Sequence, residues 1–226
     1  MDSKILVYGQ TSRVINFAMQ QNYVPLIRSL VITNLTQEEL SGLKLIITSE
    51  PDFTKPYEMN IDTILPEGAI EITPVHLAVK PDYIIALNER MLANLHVVIR
   101  KGEEILYERD YSTILLAYDE WSGLNSMPEM IAAFVPPNVQ AVSQVISDAG
   151  TFLMEWEKNP SFTGYQRQNP NAVLKQMAAI YSALKKQNIT YVVPPASYEE
   201  TGQKIRLPET IYEQRMGTCL DLALYY

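Results

Sequence analysis

The hydropathy period of this 226-residue chain changes once, close to Tyr118. Ahead of that point apolar residues recur at every second position. Tyr57, Met59 and Ile61 alternate with Glu58, Asn60 and Asp62; Leu43, Leu45 and Ile47 repeat the pattern, as do Ile15, Phe17 and Met19. A period of two gives a strand one buried and one wet face. Turn signals at Ser41-Gly42, Pro51-Asp52, Pro66-Glu67-Gly68, Lys80-Pro81-Asp82 and Lys101-Gly102 cut the region into some seven or eight short strands, the spacing of an antiparallel β-sandwich. No segment between them has helical length and period, so parallel βαβ units are not expected. Pro74, inside a strand-like run, marks an edge or a bulge.

Beyond Tyr118 the period lengthens. A turn over Trp121-Ser-Gly-Leu-Asn leads to a short helix start at Pro128. Asn138 is a candidate cap for a helix to about Lys158, with Val142, Val145, Ile146, Ala149, Leu153 and Trp156 at helical spacing. A second helix starts near Pro170, with Val173, Met177, Ile180, Tyr181 and Leu184 on one face and Lys175, Lys185 and Lys186 toward water. Ile189-Thr-Tyr-Val-Val193 reads as a strand, and Pro208 opens a short helix to about Gln214. Gly217-Thr218 breaks the chain, and a last apolar helix starts at Cys219 and runs to Tyr225-Tyr226 without a stop signal, the pattern of a fragment of a longer protein.

Composition narrows the function classes. The net charge of −8 makes the chain a poor stand-alone ligand for nucleic acid, whose affinity comes largely from cations on phosphate. A single cysteine forms no intramolecular disulfide. No apolar run reaches the length of a membrane span and the N-terminus lacks a signal-peptide core, so a soluble, cytoplasmic chain without a membrane partner is expected.

Cys219 is the candidate catalytic residue. Gly217 supplies the break, Thr218 is a candidate N-cap, and the thiol then sits where a helix start presents free N–H groups and positive dipole to a thiolate. Arg215 adds positive charge nearby. Cysteine hydrolases and acyl transferases use such an arrangement with a histidine base, yet the only histidines, His76 and His96, fall on presumed strands of the first region. The alternative is that Cys219 is a small buried apolar residue.

The runs Tyr191-Val-Val-Pro-Pro-Ala-Ser-Tyr198, Gly202-Gln-Lys-Ile-Arg-Leu-Pro-Glu209 and Arg215-Met-Gly-Thr-Cys-Leu-Asp-Leu-Ala223 resemble the N-terminal region of large bacterial superfamily I DNA helicase-related proteins. Trp121-Ser-Gly-Leu-Asn and Pro128-Glu-Met-Ile-Ala-Ala-Phe-Val-Pro-Pro-Asn138 fit the same family. The likeness covers residues 12–226 loosely and 118–223 more specifically. Gly217-Thr-Cys-Leu-Asp-Leu-Ala also resembles the nucleophile helix of transglutaminase-like folds, in which Cys219 matches the nucleophile, with the family's histidine and aspartate falling after residue 226. The resemblance implies an α+β chain: an immunoglobulin-like antiparallel β-sandwich over 1–118, then a mainly helical segment over 119–226 that opens an incomplete transglutaminase-like domain. It implies an accessory, non-catalytic interaction or scaffold module whose partners are the other domains of the full-length protein. A protein partner on the sandwich is possible, and nucleic acid is met only through the rest of the protein. The alternative is a cysteine acyl transferase or peptidase with Cys219 as nucleophile, completed by residues beyond 226.

Other motifs carry less. The sequence holds no P-loop, Gly-x-Gly-x-x-Gly, His-Glu-x-x-His or Gly-x-Ser-x-Gly, and no metal-ligand spacing, so neither cofactor nor metal is expected. Tyr181-x-x-x-Lys185 reads as a core tyrosine beside a solvated lysine. Phe162, Tyr165, Arg167 and Gln168 form either a stacking loop for nucleic acid or a loop packed by its own aromatics. Trp121, Leu124 and Met127 read as the seal between sandwich and helices, with an exposed partner patch as the alternative. Asn34-Leu-Thr36 and Asn188-Ile-Thr190 match glycosylation acceptors, without a signal peptide to support them.

Overall fold

In a computed structural model, residues 3–226 are described. The fold is α+β, with helices and several separate sheets, and the chain divides into two compact units after Tyr118.

The first unit runs β1 (Ile5–Thr11), β2 (Val14–Ile15), α1 (Phe17–Gln21), β3 (Ile27–Asn34), β4 (Leu43–Glu50), β5 (Tyr57–Ile61), β6 (Ala69–Ile72), α2 (Pro81–Ile85), β7 (Met91–Lys101) and β8 (Glu104–Leu115). Its strands form a three-stranded sheet, β1-β3-β6, and a five-stranded sheet, β2-β8-β7-β4-β5. β-Branched and leucine side chains alternate with polar ones, so each strand has one face to bury. Register stacks those faces: Leu45 pairs with Ile99 and Ile47 with Val97 in the larger sheet, Val7 with Ile32 and Ile32 with Ile70 in the smaller. Leu45, Ile47, Leu95, Val97 and Ile99 are fully enclosed. The β7–β8 hairpin turns on Gly102, whose φ of 57° suits the first position of a two-residue loop.

Several expectations are corrected here. Ile15, Phe17 and Met19 do not share a strand: Asn16 Oδ1 accepts from Met19 N at 2.8 Å and caps α1, converting an alternating run into one helical turn. α1 and α2 are helices within the strand region, each of five residues. Pairing is not antiparallel throughout, because β2 runs parallel to β8. Pro74 follows β6, an edge strand that ends two residues earlier. Asn34 is fully buried, its amide donating to the Glu38, Ile64 and Leu65 carbonyls, so it is closed to a glycan as folded.

The second unit holds β9 (Glu120–Trp121), a 3₁₀ helix (Pro128–Phe134), α3 (Gln140–Glu157), α4 (Pro170–Lys186), β10 (Thr190–Tyr191), α5 (Tyr198–Thr201), β11 (Gln203–Lys204), α6 (Pro208–Gln214), β12 (Met216–Gly217) and α7 (Cys219–Tyr225). α3 starts two residues after Asn138, with Val139 at the cap position and no side-chain cap bond. The strand expected over residues 189–193 shrinks to Thr190–Tyr191, parallel to β12. α3 and α4 meet through small residues: Ala141, Val145, Ala149 and Leu153 pack with Ala179 and Ala183, joined by Ile211 and Tyr225. The expected faces rotate accordingly. Ile146 and Trp156 of α3, and Met177 and Tyr181 of α4, are exposed, because alanines rather than the largest side chains let two helices approach closely.

Trp121 belongs to a second cluster of the same unit, with Phe134 and Ile205, while Leu124 is exposed. α7 serves both clusters, Leu220 and Leu224 packing on one and Leu222 and Tyr225 on the other, which accounts for a helix apolar on nearly every side. β9 and β11 pair antiparallel, and just before β11 the chain passes so close that a Cβ on Gly202 would overlap the Trp121 carbonyl oxygen.

Candidate functional site

Cys219 occupies the first turn of α7, and three layers of backbone chemistry put it there. β12 is held against β10 by Thr190 N donating to Arg215 O at 2.8 Å and Val192 N donating to Gly217 O at 2.9 Å. Thr218 then leaves the strand and caps the helix, its Oγ1 accepting from Asp221 N at 3.2 Å. Asp221 Oδ2 accepts from Thr218 N at 2.8 Å, which completes a capping box.

Asp221 is fully buried, and its remaining capacity is taken by Arg206. Arg206 N donates to Oδ1 at 3.0 Å and a guanidinium nitrogen to Oδ2 at 3.2 Å. A buried carboxylate survives only when its charge and lone pairs are met, and here the β11–α6 connection meets them. Gln203 reaches the same cap, its Nε2 donating to Thr218 Oγ1 at 3.4 Å, while its buried Oε1 has no hydrogen-bond partner. Asp221, Arg206 and Gln203 were not singled out in the sequence. Thr218-x-x-Asp221 is the signal that could have found the first of them, since Ser or Thr three residues before an acid marks a box.

Cys219 itself is exposed, which overturns the reading of it as a small buried residue. The Tyr198 hydroxyl lies 3.7 Å from its sulfur. That contact, and the charge the thiol can carry, hold the Tyr198 phenol above its ordinary ionisation range. Tyr191 is raised as well, by desolvation first and then by Cys219. Arg215 stacks its guanidinium over Tyr212, 4.5 Å from the ring centroid. The sulfur forms part of the wall of a cavity of about 600 Å³ lined chiefly by Tyr181, Leu184, Ile189, Leu222 and Tyr226.

The other candidates disperse. His76 and His96 both belong to the first unit, so the second unit contains no histidine. His96 projects from β7 with Nδ1 2.7 Å from Asp110 and Nε2 3.1 Å from Glu108. His76 lies outside the named strands. Phe162 packs on the helical core, but Tyr165 is exposed, so its loop is not closed by its own aromatics. Among the described residues, no three His, Cys, Asp or Glu side chains are grouped to hold a metal ion. Among them, too, no helix is long and apolar enough to cross a membrane.

No family model matches the chain, and no curated protein matches it. Solved structures give partial likenesses. A Northeast Structural Genomics Consortium target is 15% identical, with 52% of this chain matching 89% of that one at a TM-score of 0.28. A β-glucuronidase of Bacteroides uniformis is 10% identical, covering 87% of this chain and 34% of its own, with a TM-score of 0.27. A family 76 glycoside hydrolase from a bovine Bacteroides thetaiotaomicron strain is 7% identical, covering 88% and 44%, with a TM-score of 0.20. At such scores none of the three bears on the fold or activity of this chain.

Proposed function

We propose that this chain is an accessory N-terminal module of a larger helicase-related protein, with an immunoglobulin-like sandwich as an interaction surface and the opening of a transglutaminase-like domain behind it. The observation that carries the reading is the frame around Cys219. The run Arg215 to Ala223, within the 118–223 stretch where the resemblance is more specific, folds as a capped helix start clamped by Asp221 and Arg206. The polar side chain beside the sulfur is a tyrosine hydroxyl rather than a base. As a separate chain the module binds and does not turn over substrate, and it acts in the cytoplasm.

The test is acyl transfer by the purified chain. With an activated ester as acyl donor, release should match that of an equal concentration of a simple thiol and show no burst. A faster, saturable release that disappears in Cys219→Ala would overturn the reading.

A second reading rests on Cys219 being both exposed and part of a cavity lining. In it, Cys219 is the nucleophile of a cysteine acyl transferase or peptidase whose histidine is supplied from outside this chain. A longer form of the protein that carries the completing residues should then show Cys219-dependent acyl transfer. Its absence in a folded longer form would remove this reading.

A further inference from the structure

α4 leaves one face without a covering layer. Leu174, Met177 and Tyr181, at i, i+3 and i+7, are 63%, 45% and 60% exposed. That spacing places them along one stripe of about two turns. A hollow lies at each end. Near the start of α4, a cavity of about 600 Å³ is lined by Tyr165, Pro170, Val173 and Leu174. Near its end, the similar cavity beside Cys219 is lined by Tyr181, Leu184, Ile189, Leu222 and Tyr226. Tyr226 Oη donates to Met177 O at 2.9 Å, so the tip of α7 is fastened over the middle of the helix and forms one bank of the groove.

The charge that α4 itself carries is one-signed. Every charged residue of α4 is a lysine, in a chain that is otherwise net acidic. Lys175 is paired with Glu157. Lys185 lines the second cavity as its sole charged residue, Lys186 follows it, and both are exposed without a carboxylate partner among the described residues. Two cations in the last turn complement the helix dipole, but that role does not require one of them to line an apolar cavity.

We infer that the groove along α4 docks an acidic peptide segment that presents apolar side chains at helical spacing, with its carboxylates toward Lys185 and Lys186. The length of the stripe selects a peptide over a compact ligand: anchors at i, i+3 and i+7 match the exposed row, and the end hollows take its larger side chains. Lys185, the sole charged residue on the second cavity, selects an acidic segment over a basic one there. This inference does not depend on the proposed function, since it concerns a face of the second unit and requires no chemistry at Cys219.

Cys219 lies in the wall of the groove and is the only cysteine, so its modification rate reports occupancy directly. The probe is a synthetic amphipathic peptide with leucine and phenylalanine at i, i+3 and i+7 and glutamates between them. The controls are the same peptide with lysines for the glutamates, and one with serines for the apolar anchors. In the 226-residue chain, the acidic peptide should slow reaction with a disulfide thiol reagent several-fold in a saturable manner, and neither control should do so. Lys185→Glu together with Lys186→Glu should weaken that protection about tenfold, with an unchanged far-UV spectrum and with protection read against the variant's own rate in the absence of peptide. Tyr181→Ser should weaken it as well.

Equal protection by the acidic and lysine peptides overturns the inference, as does none by the acidic one. Cys219 of a longer native form that is already shielded, and that the peptide does not shield further, also overturns it, because the groove would then be filled by the same polypeptide. Each result is separable from the acyl-transfer test, which reads turnover rather than access.

Discussion

The two units bury apolar surface in different ways. In the first, long strands exchange hydrogen bonds over many residues, and their inward faces carry branched side chains that are almost wholly enclosed, such as Leu45, Val97 and Ile99. In the second, two helices meet through alanines, the strands are two residues long, and Leu174, Tyr181 and Tyr191 remain exposed. A sheet face offers every second side chain to its core, whereas a helix packed through alanines turns its larger residues outward. The first unit therefore gains its stability from side-chain volume. The second leans more on specific polar anchors, above all the Asp221 clamp.

That contrast can be broken in order of expected effect. Leu45→Ala opens a cavity in a fully enclosed sheet face and should cost about 2–5 kcal/mol, read as a lowered denaturation midpoint; a loss below about 1 kcal/mol would mean that the face collapses around the gap. Asp221→Ala removes the acceptor of three hydrogen bonds and leaves Arg206 without its carboxylate. Because Arg206 is about one-third exposed, roughly 2 kcal/mol is expected rather than the larger penalty of a wholly buried pair. Hydrogen exchange should concentrate that loss in α7, and a loss spread evenly over both units would contradict the clamp. Thr218→Ala removes the cap and the acceptor of the long Gln203 contact and should cost about 1 kcal/mol.

Tyr181→Ser, on the uncovered stripe, should leave the midpoint within about 0.5 kcal/mol of the parent. A larger drop would show that the α4 face is covered after all.

The smallest effect concerns pH. Glu58 has its ionisation lowered, first by the hydrogen bond from Lys44 and then by the charge of that lysine. A carboxylate with a depressed folded value contributes stability above its unfolded value near 4.3, and that contribution fades as pH falls through the folded value. Glu58→Gln should therefore be slightly less stable than the parent at neutral pH and equal to it in acid; a difference that grows as pH falls would reverse the assignment. At the other end of the scale, the Tyr198 phenolate should appear at lower pH in Cys219→Ala than in the parent, measured by its ultraviolet difference absorbance. No change would detach Tyr198 from the sulfur.

Much of the molecule was legible one element at a time. Alternation at 43–47 and 57–61 located β4 and β5, and Pro208 and Gly217-Thr218 marked α6 and the start of α7. The misreadings share a cause. Ile15, Phe17 and Met19 alternate as a strand does, and a single Asn16 side chain diverts the last two into α1. Ile146 and Trp156 fit the helical period of α3, but period alone does not say which side of the helix is turned inward. The site was half visible: Cys219 and Thr218 stood out, while Arg206 reaches Asp221 and Gln203 reaches Thr218 from a segment more than ten residues earlier by contacts that no local pattern encodes.

What the sequence determines by itself is local: which residues can alternate, which can cap, where glycine and proline interrupt, and that one thiol stands at a helix start. Those outcomes depend on neighbours a few residues apart, whose geometry the backbone fixes. The tertiary structure alone decides that Arg215 stacks on Tyr212, that Arg206 clamps Asp221, and that α4 shows Leu174, Met177 and Tyr181 outward. Each is a choice among partners equally reachable from the sequence, and it is settled by which arrangement buries a charge with its counter-charge and lets small side chains bring two helices together.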